Sequence, residues 1–480
     1  MSFMADIIQR LELGKKSVMS NVIDDLIKDH MIKKDKMIAN YKRYQASKDP
    51  DGVPIFNRSF EDKNKINNKV NNSFDADIID VKVGYMLGNP VIYEIKKEPY
   101  IKDDELNESA YLKDMSIIDD FNMRNNIADL DSETLKMASI CSYSARLLYM
   151  DINAKATIMN IEPWEVIFID DGSLELPQYA MRYYQITDGD EKKTYVEWYD
   201  DKNVYFYISS GKDEKTDKTT YIPYVVEGVT EQPHMFDGIP LIEFKNNKER
   251  QGDCERVYAL IDAYDKTLSD MNSELEQFRL AYMAFYGLAP DEETMSLAKR
   301  TGAFGLTDAD SRVEFITKEI NDDVIEHHLD RIEKNIYSFA KSVNFTDEAF
   351  AGNISGIAMK FKMFGLESKC ITSERKFNTG LRDMYRLLTS MWKIKETDID
   401  YTDINFVWTR NFPLNLLDES LTSMNFAGMI SDKTRLGLLS FIDEPDKEIA
   451  EMERENEGKI DLEGNGAIGG ENANVPPTGE

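Results

Sequence analysis

Only three of the 480 residues are cysteine and only four are histidine, and these shortages exclude several kinds of chemistry. Cys141, Cys254 and Cys370 stand far apart without a CxxC pair, so they form neither a disulfide framework nor a zinc ribbon. They fit small buried hydrophobes of a reducing cytoplasm. His327 and His328 are adjacent, and on a helix they point about 100° apart, unlike the i, i+4 pair that clamps a metal. His30 and His234 stand alone, and all four read as exposed or satisfied side chains, so no metal or cofactor is expected. A run of about 18 apolar residues is missing too, so no membrane span is expected. MSFMADIIQRLELGKK lacks the apolar core and cleavage site of a secretory leader. GxxxxGK[ST] and GxSxG are absent. The serine of Gly352–Gly356 (GNISG) comes one place too late for a nucleophile elbow. Asp291-Glu292-Glu293 reads as the first turn of a helix after Pro290 rather than as a catalytic carboxylate pair. Catalysis is not expected.

Acid is what the chain has in excess, with 88 acidic against 58 basic residues and a net charge of −30. Such a surface repels phosphates and excludes free, diffusive binding to nucleic acid. A protein that surrounds nucleic acid without gripping it remains open. A hydrophobic content of 42% and an aromatic content of 11% suffice for folded cores, and the length implies two to four lobes.

The organising stretch runs from Cys254 to Phe285. Val257, Ile261, Tyr264, Leu268, Met271, Leu275, Phe278 and Tyr282 recur at spacings of four and three, one narrow seam on a helix of about 48 Å. A second seam follows at Ile325, Leu329, Ile332, Ile336, Phe339 and Val343. A turn-rich insert of about 35 residues lies between them. The pattern fits a stalk that carries a small domain, and equally a helical hairpin buried in one globule.

Elsewhere the chain reads as helix over 3–45, then turn with short extended pieces at KDPDGVPIF. The asparagines of NNKVNN read as caps and turn formers rather than as a polar binding strip. The helix they introduce should stop at Gly88-Asn89-Pro90, with Gly88 as a left-handed cap. Residues 104–127 and 132–150 look helical. Strands follow over 155–245, separated by the polar turns Asp170-Asp171-Gly172 and Asp188-Gly189-Asp190, which read as solvated turns rather than calcium loops. A third long helix should run from Ile357 to Trp392, with Phe361, Phe364, Ile371, Leu381, Met384, Leu388 and Met391 at helical spacing. A strand, INFVWTRNF, comes next. Short helices then run to Glu457, with Ser431 as an N-cap and Pro445 at a helix start. The Gly- and Asn-rich tail beyond Gly458 should be disordered.

Four stretches, NNKVNNSFDADIIDVKVGYMLGNPV, IPLIEFKNNKERQGDCERVYALIDAYDKTLSDMNSELEQF, RIEKNIYSFAKSVNFTDEAFAGNISGIAMKF and ISDKTRLGLLSFIDEPDKEIAEMERENE, together resemble the portal, or head–tail connector, proteins of tailed bacteriophages. The branch is that of siphophages of Gram-positive hosts, and the resemblance spans about 57–457. It implies an α+β portal-type fold with an α/β wing at 1–250 and a return strand at 405–412. Stem helices would cover 251–286 and 319–343, a small α/β clip 287–318, a tunnel loop 344–356, a long helix with its connection 357–404, a helical crown 413–457 and a disordered tail 458–480.

By the same resemblance the chain would be one subunit of a ring, usually of twelve, at one capsid vertex of the virion, assembled in the host cytoplasm. Double-stranded DNA would pass through it. Its partners would be other copies of itself, the terminase large subunit, a head-completion adaptor, and the major capsid and scaffolding proteins. The stem would pack through Val257, Ile261, Tyr264, Leu268, Met271, Leu275, Phe278, Ile325, Leu329, Ile332, Ile336 and Phe339. Lys341, Asn344, Phe345, Thr346, Asp347, Glu348, Phe350, Asn353 and Lys360 would line the channel. Asp291, Glu292, Glu293, Lys299, Arg300, Asp308, Asp310 and Arg312 would meet partners at the clip. Against this stand two other readings: an acidic coiled-coil scaffold, and a phage hydrolase with an unrecognised carboxylate site.

Overall fold

A computed structural model describes residues 3–12, 16–46, 66–102, 105–170, 177–189, 191–278, 282–286, 291–301, 312–316, 322–346, 356–394, 397–412, 416–439, 442 and 445–464. The chain divides into two compact units. One comprises Met1–Phe345 and Met363–Asn411, the other Thr346–Lys362 and Phe412–Glu480. Helices and antiparallel sheets are segregated along the chain, an α+β arrangement.

In the larger unit, strands Val166–Ile169, Tyr179–Asp188, Glu191–Tyr199, Asn203–Asp213 and Lys218–Pro223 form a meander in sequence order. Their alternation places Met181, Tyr183, Val196, Trp198 and Tyr221 on one face, where Ile7, Ile8, Val22, Ile23 and Leu26 of the helices Phe3–Glu12 and Lys16–Tyr44 bury them. Gly189, at φ +65°, makes the expected tight turn between two of these strands. KDPDGVPIF, Asp171, Gly172 and Asp190 lie outside the described residues.

Two helices were expected over 104–127 and 132–150, and the second ends early. It covers Ile127–Cys141; Ser142 then turns at φ +82°, and Tyr143–Met150 is a strand. That strand is the middle one of three, between Leu241–Lys245 and Ala156–Ile161. Its first six residues are all buried, so it carries no period-two signal and reads as apolar helix. Arg146 is buried in it, bonded to Asp131 at 2.9 Å and Thr134 at 2.6 Å, with its guanidinium over Phe244 at 4.8 Å.

Gly88 ends the helix Phe74–Leu87 as expected but for a different reason. Its backbone is right-handed, with φ −61°. A Cβ there would sit 2.2 Å from Asn411 Nδ2, so closeness to the returning chain requires glycine, not a left-handed cap. The return strand is shorter than 405–412: Ile404–Val407 pairs with Ile92–Ile95, and Trp408 instead donates to Asn378 at 2.8 Å.

The long helices differ most from the sequence reading. The first covers Tyr258–Phe278, and Tyr282–Tyr286 is a strand paired with Arg312–Ile316. Tyr282 therefore leaves the helical seam. The second covers Asp322–Ala340 and ends where Lys341 adopts φ +52°. The third covers Gly356–Ile394. Leu381, Met384, Leu388 and Met391 are buried as expected, whereas Phe361, Phe364 and Ile371 are exposed.

The smaller unit contains the helices Leu416–Asn425, Asp432–Leu436 and Pro445–Gly464. Ser431 accepts the Thr434 N–H, as its N-cap position predicted. The last helix begins at Pro445 and continues past Gly458 to Gly464, so order extends beyond the point where composition placed its end. Residues 465–480 lie outside the described residues.

Candidate functional site: a helix pair and its strap

Val257, just before the first long helix, Ile261 within it, and Ile332, Ile336 and Ala340 of the second share one buried cluster with Phe74, Ile78 and Tyr143. The two seams thus pair within one chain. Leu329 is buried as well, and Tyr264, Leu268, Met271 and Ile325 are half-buried. Leu275 and Phe339 are 48% and 60% exposed, so the seam is open at those positions within the subunit. The side chain of Phe278 lies outside the described set.

Beside the seam, Asp265, Ser269 and Ser273 occupy a buried stripe at four-residue spacing. An extended strap, residues 66–73, runs antiparallel along it. Asn68 N–H donates to Ser273 Oγ at 3.0 Å, Val70 N–H to Ser269 Oγ at 2.9 Å, and Asn72 N–H to Asp265 Oδ1 at 3.2 Å. The register closes because two extended residues advance about 6.6 Å and four helical ones about 6.0 Å. Asn68 and Asn72 add side-chain bonds to Glu276 at 2.8 Å and Asp265 at 2.6 Å. Asn68 and Asn72 thus tie the strap to the helix within the subunit, a structural role as expected but through helix contacts rather than caps, and Asn71 makes a turn bond, accepting from Ser73 N–H at 2.7 Å.

Charge is concentrated beneath the strap. Burial pushes the Asp265 carboxyl up to about 6, against the lowering effect of Asn72. Asp75 is raised by burial despite Arg43, which bonds it at 3.3 Å and also reaches Asp262 at 2.8 Å. A second cluster joins the body to the third long helix. Lys82, fully buried, donates to Ser139 at 3.0 Å, Asn246 at 2.8 Å and Asp253 at 2.9 Å. Lys369 approaches Asp253 at 3.4 Å and donates to the Ala340 carbonyl at 3.1 Å. Sequence reading missed these groups; the four-residue spacing of Asp265, Ser269 and Ser273 was the one available signal.

The insert between the helix pair holds the hairpin Tyr282–Tyr286 with Arg312–Ile316 and the helix Glu292–Thr301. Asp291, Glu292, Glu293, Arg300 and Arg312 are exposed. Arg312 pairs with Glu314 and lies 5.5 Å from the Tyr286 ring. After the second helix, Asn344 folds back on Glu333 at 2.7 Å, while Lys341, Phe345 and Thr346 are exposed. Lys360 is exposed on the third helix. Asp308, Asp310, Asp347, Glu348, Phe350 and Asn353 lie outside the described residues, as does the side chain of Lys299.

His30 contacts the Tyr183 hydroxyl at 2.8 Å and His234 the Asp200 carbonyl at 3.1 Å, both buried, while His327 and His328 are exposed. All three cysteines are buried thiols. Among the described residues no cluster of histidine, cysteine or carboxylate side chains has the form of a metal site. No described helix is long and apolar enough to cross a membrane.

A family model described as "Phage portal protein, SPP1 Gp6-like" matches residues 23–461. The portal protein of Bacillus phage SPP1 is 26% identical over 423 residues, which is 84% of this chain and 79% of that protein. The portal protein of Clostridium phage phiCD119 is 25% identical over 407 residues, 82% of this chain and 86% of that protein. On this match the chain belongs to the phage portal proteins, a family of structural proteins rather than enzymes.

Proposed function

We propose that this chain is one subunit of a closed portal ring, with about twelve copies around a channel for double-stranded DNA at one vertex of the virion. The match across residues 23–461 carries this reading. In it the sheet-bearing N-terminal region with the Ile404–Val407 strand is the wing, and the helices Tyr258–Phe278 and Asp322–Ala340 are the stem. The insert between them is the clip, residues 344–356 the tunnel loop, and the helices after 413 the crown. The net charge of −30 suits a wall past which DNA slides without adhering.

The clip is the docking site for the terminase large subunit, and later for a head-completion adaptor. Exposure of Asp291, Glu292, Glu293, Arg300 and Arg312 supports this role. Major capsid and scaffolding proteins surround the ring during assembly in the host cytoplasm. The channel role is tested by placing tryptophan at Ala351. Rings and empty capsids form normally while DNA packaging stalls part-way; full-length packaging at the normal rate contradicts the assignment.

A further inference from the structure

The three-stranded sheet has two edges, and they are finished differently. At the Ala156–Ile161 edge, Ile158 N–H turns away from the sheet and donates to Asn125 Oδ1 at 3.1 Å. The other edge is Leu241–Lys245. Leu148 N–H donates to the Pro240 carbonyl and Asn246 N–H to the Ser142 carbonyl, each at 2.9 Å, so the even-numbered residues of this strand pair inward. Alternation then turns the N–H and C=O groups of Leu241, Glu243 and Lys245 outward. No described residue bonds to them there. Buried backbone polar groups are nearly always paired, and Leu241 is only 5% exposed.

This open edge forms one wall of a cavity of about 880 Å³, whose other walls come from the first two meander strands and the helix Gly356–Ile394. Phe168 packs with Leu241 on one side of the strand. On the other side Phe244 meets Phe377 at 4.9 Å, which sets the long helix there with Thr379 and Asp383 facing the cavity. A strand laid along the edge alternates its side chains between these two sides. Five carboxylates, Asp383 and Asp201 among them, line the cavity against the three cations Lys245, Lys376 and Arg386. Glu243 is already paired, with Lys245 at 3.3 Å and Arg250 at 2.8 Å. Asp383 forms no ion pair with any described residue, and burial pushes its carboxyl up against the pull of Arg386 and Lys245. Residues 465–480 of this chain carry Glu471 and Glu480 and neither lysine nor arginine. Charge therefore selects a foreign segment over the chain's own C-terminal stretch.

We propose that the groove takes an extended segment of another protein as a fourth strand beside Leu241–Lys245, one whose side chains alternate between apolar and basic. Backbone pairing gives the affinity, as in other strand additions to an open sheet edge. Selectivity comes from apolar side chains set toward Phe168 and Leu241 and basic ones toward Asp383. A labelled peptide, Lys-Val-Lys-Val-Lys, tests this on the full-length chain by fluorescence anisotropy and amide hydrogen exchange. It should bind saturably and slow exchange several-fold at Leu241, Glu243 and Lys245, with no change at 204–208. Glu-Val-Glu-Val-Glu should not bind. N-methylation of alternate residues should abolish binding in one phase and spare it in the other, because only one set of amides faces the edge. Thr379 is exposed, so Thr379→Trp fills the groove without entering the core and should abolish binding, while Asp383→Asn should weaken it several-fold. Binding that survives Thr379→Trp, or is indifferent to the phase of N-methylation, is attraction to an acidic surface and overturns the proposal. Absence of binding overturns it too. So does slow exchange at those three amides before peptide is added, which would mean that the chain or a second copy already fills the edge.

Discussion

The backbone N–H of Val70 donates to Ser269 Oγ at 2.9 Å, the middle rung of a three-rung ladder between an extended strap and a helix. The same construction recurs at the edge of the large sheet. Tyr221 N–H donates to Ser20 Oγ at 2.8 Å and Thr219 N–H to Asp24 Oδ1 at 3.2 Å. In both places side chains four apart on a helix satisfy amides two apart on an extended chain. Edge amides that water or a foreign strand would otherwise meet are covered from within the protein.

Ser269→Ala removes the acceptor and leaves the Val70 amide unpaired beside a buried surface. Stability should fall by about 1–2 kcal/mol, seen as a lower urea midpoint with an unchanged m-value. Amide exchange should accelerate at 68–72 and not in the large sheet. Ser269→Thr keeps the hydroxyl and should sit close to the parent. An alanine variant of parental stability would mean that the ladder contributes nothing.

Asp265 makes the strap sensitive to pH. Its carboxyl is pushed up to about 6 by burial, Asp75 adding to the shift and Asn72 and Arg43 opposing it, against about 3.9 in an unfolded chain. Between those values the native state holds a proton that the unfolded state has released. The contribution is therefore whole below about pH 4 and is lost as pH rises to about 6. Asp265→Asn should flatten that slope and raise the melting temperature at pH 7.5 by a few degrees. Parallel pH profiles for variant and parent would refute the assignment.

Two positions on the seam, seven residues apart in sequence, should respond differently to a carboxylate. Ile261 is wholly buried, so Ile261→Asp buries an uncompensated charge and should abolish folding or cost several kcal/mol. Leu268 is only half-buried within the subunit. Leu268→Asp should therefore leave the circular dichroism and melting of the subunit nearly intact, and any defect should appear in assembly. A global unfolding defect at Leu268 equal to that at Ile261 would contradict the burial difference.

Elements with a clear period were legible in the sequence: the meander strands through their alternation, and the helices through four-three spacing. Tyr143–Met150 was not, because a strand buried on both faces loses its alternation. Tyr282 was not either, because Phe278 and Tyr282 keep helical spacing although the helix stops at Phe278 and a strand starts at Tyr282. Seam spacing also overstated the core at Leu275 and Phe339, since spacing shows which face of a helix a residue occupies but not whether anything packs over it. The buried ions Lys82, Asp253 and Lys369 left no trace, since each is one charged residue among many until the fold brings them together. The family resemblance was legible from four stretches, none of which carries catalytic chemistry.

Imaging the purified full-length chain by electron microscopy, with native mass to count subunits, tests the central claim most directly. The account predicts closed rings of about twelve subunits with a central hole wide enough for a DNA duplex. A monomer, a small parallel bundle or an open filament under conditions where the chain is folded would contradict it.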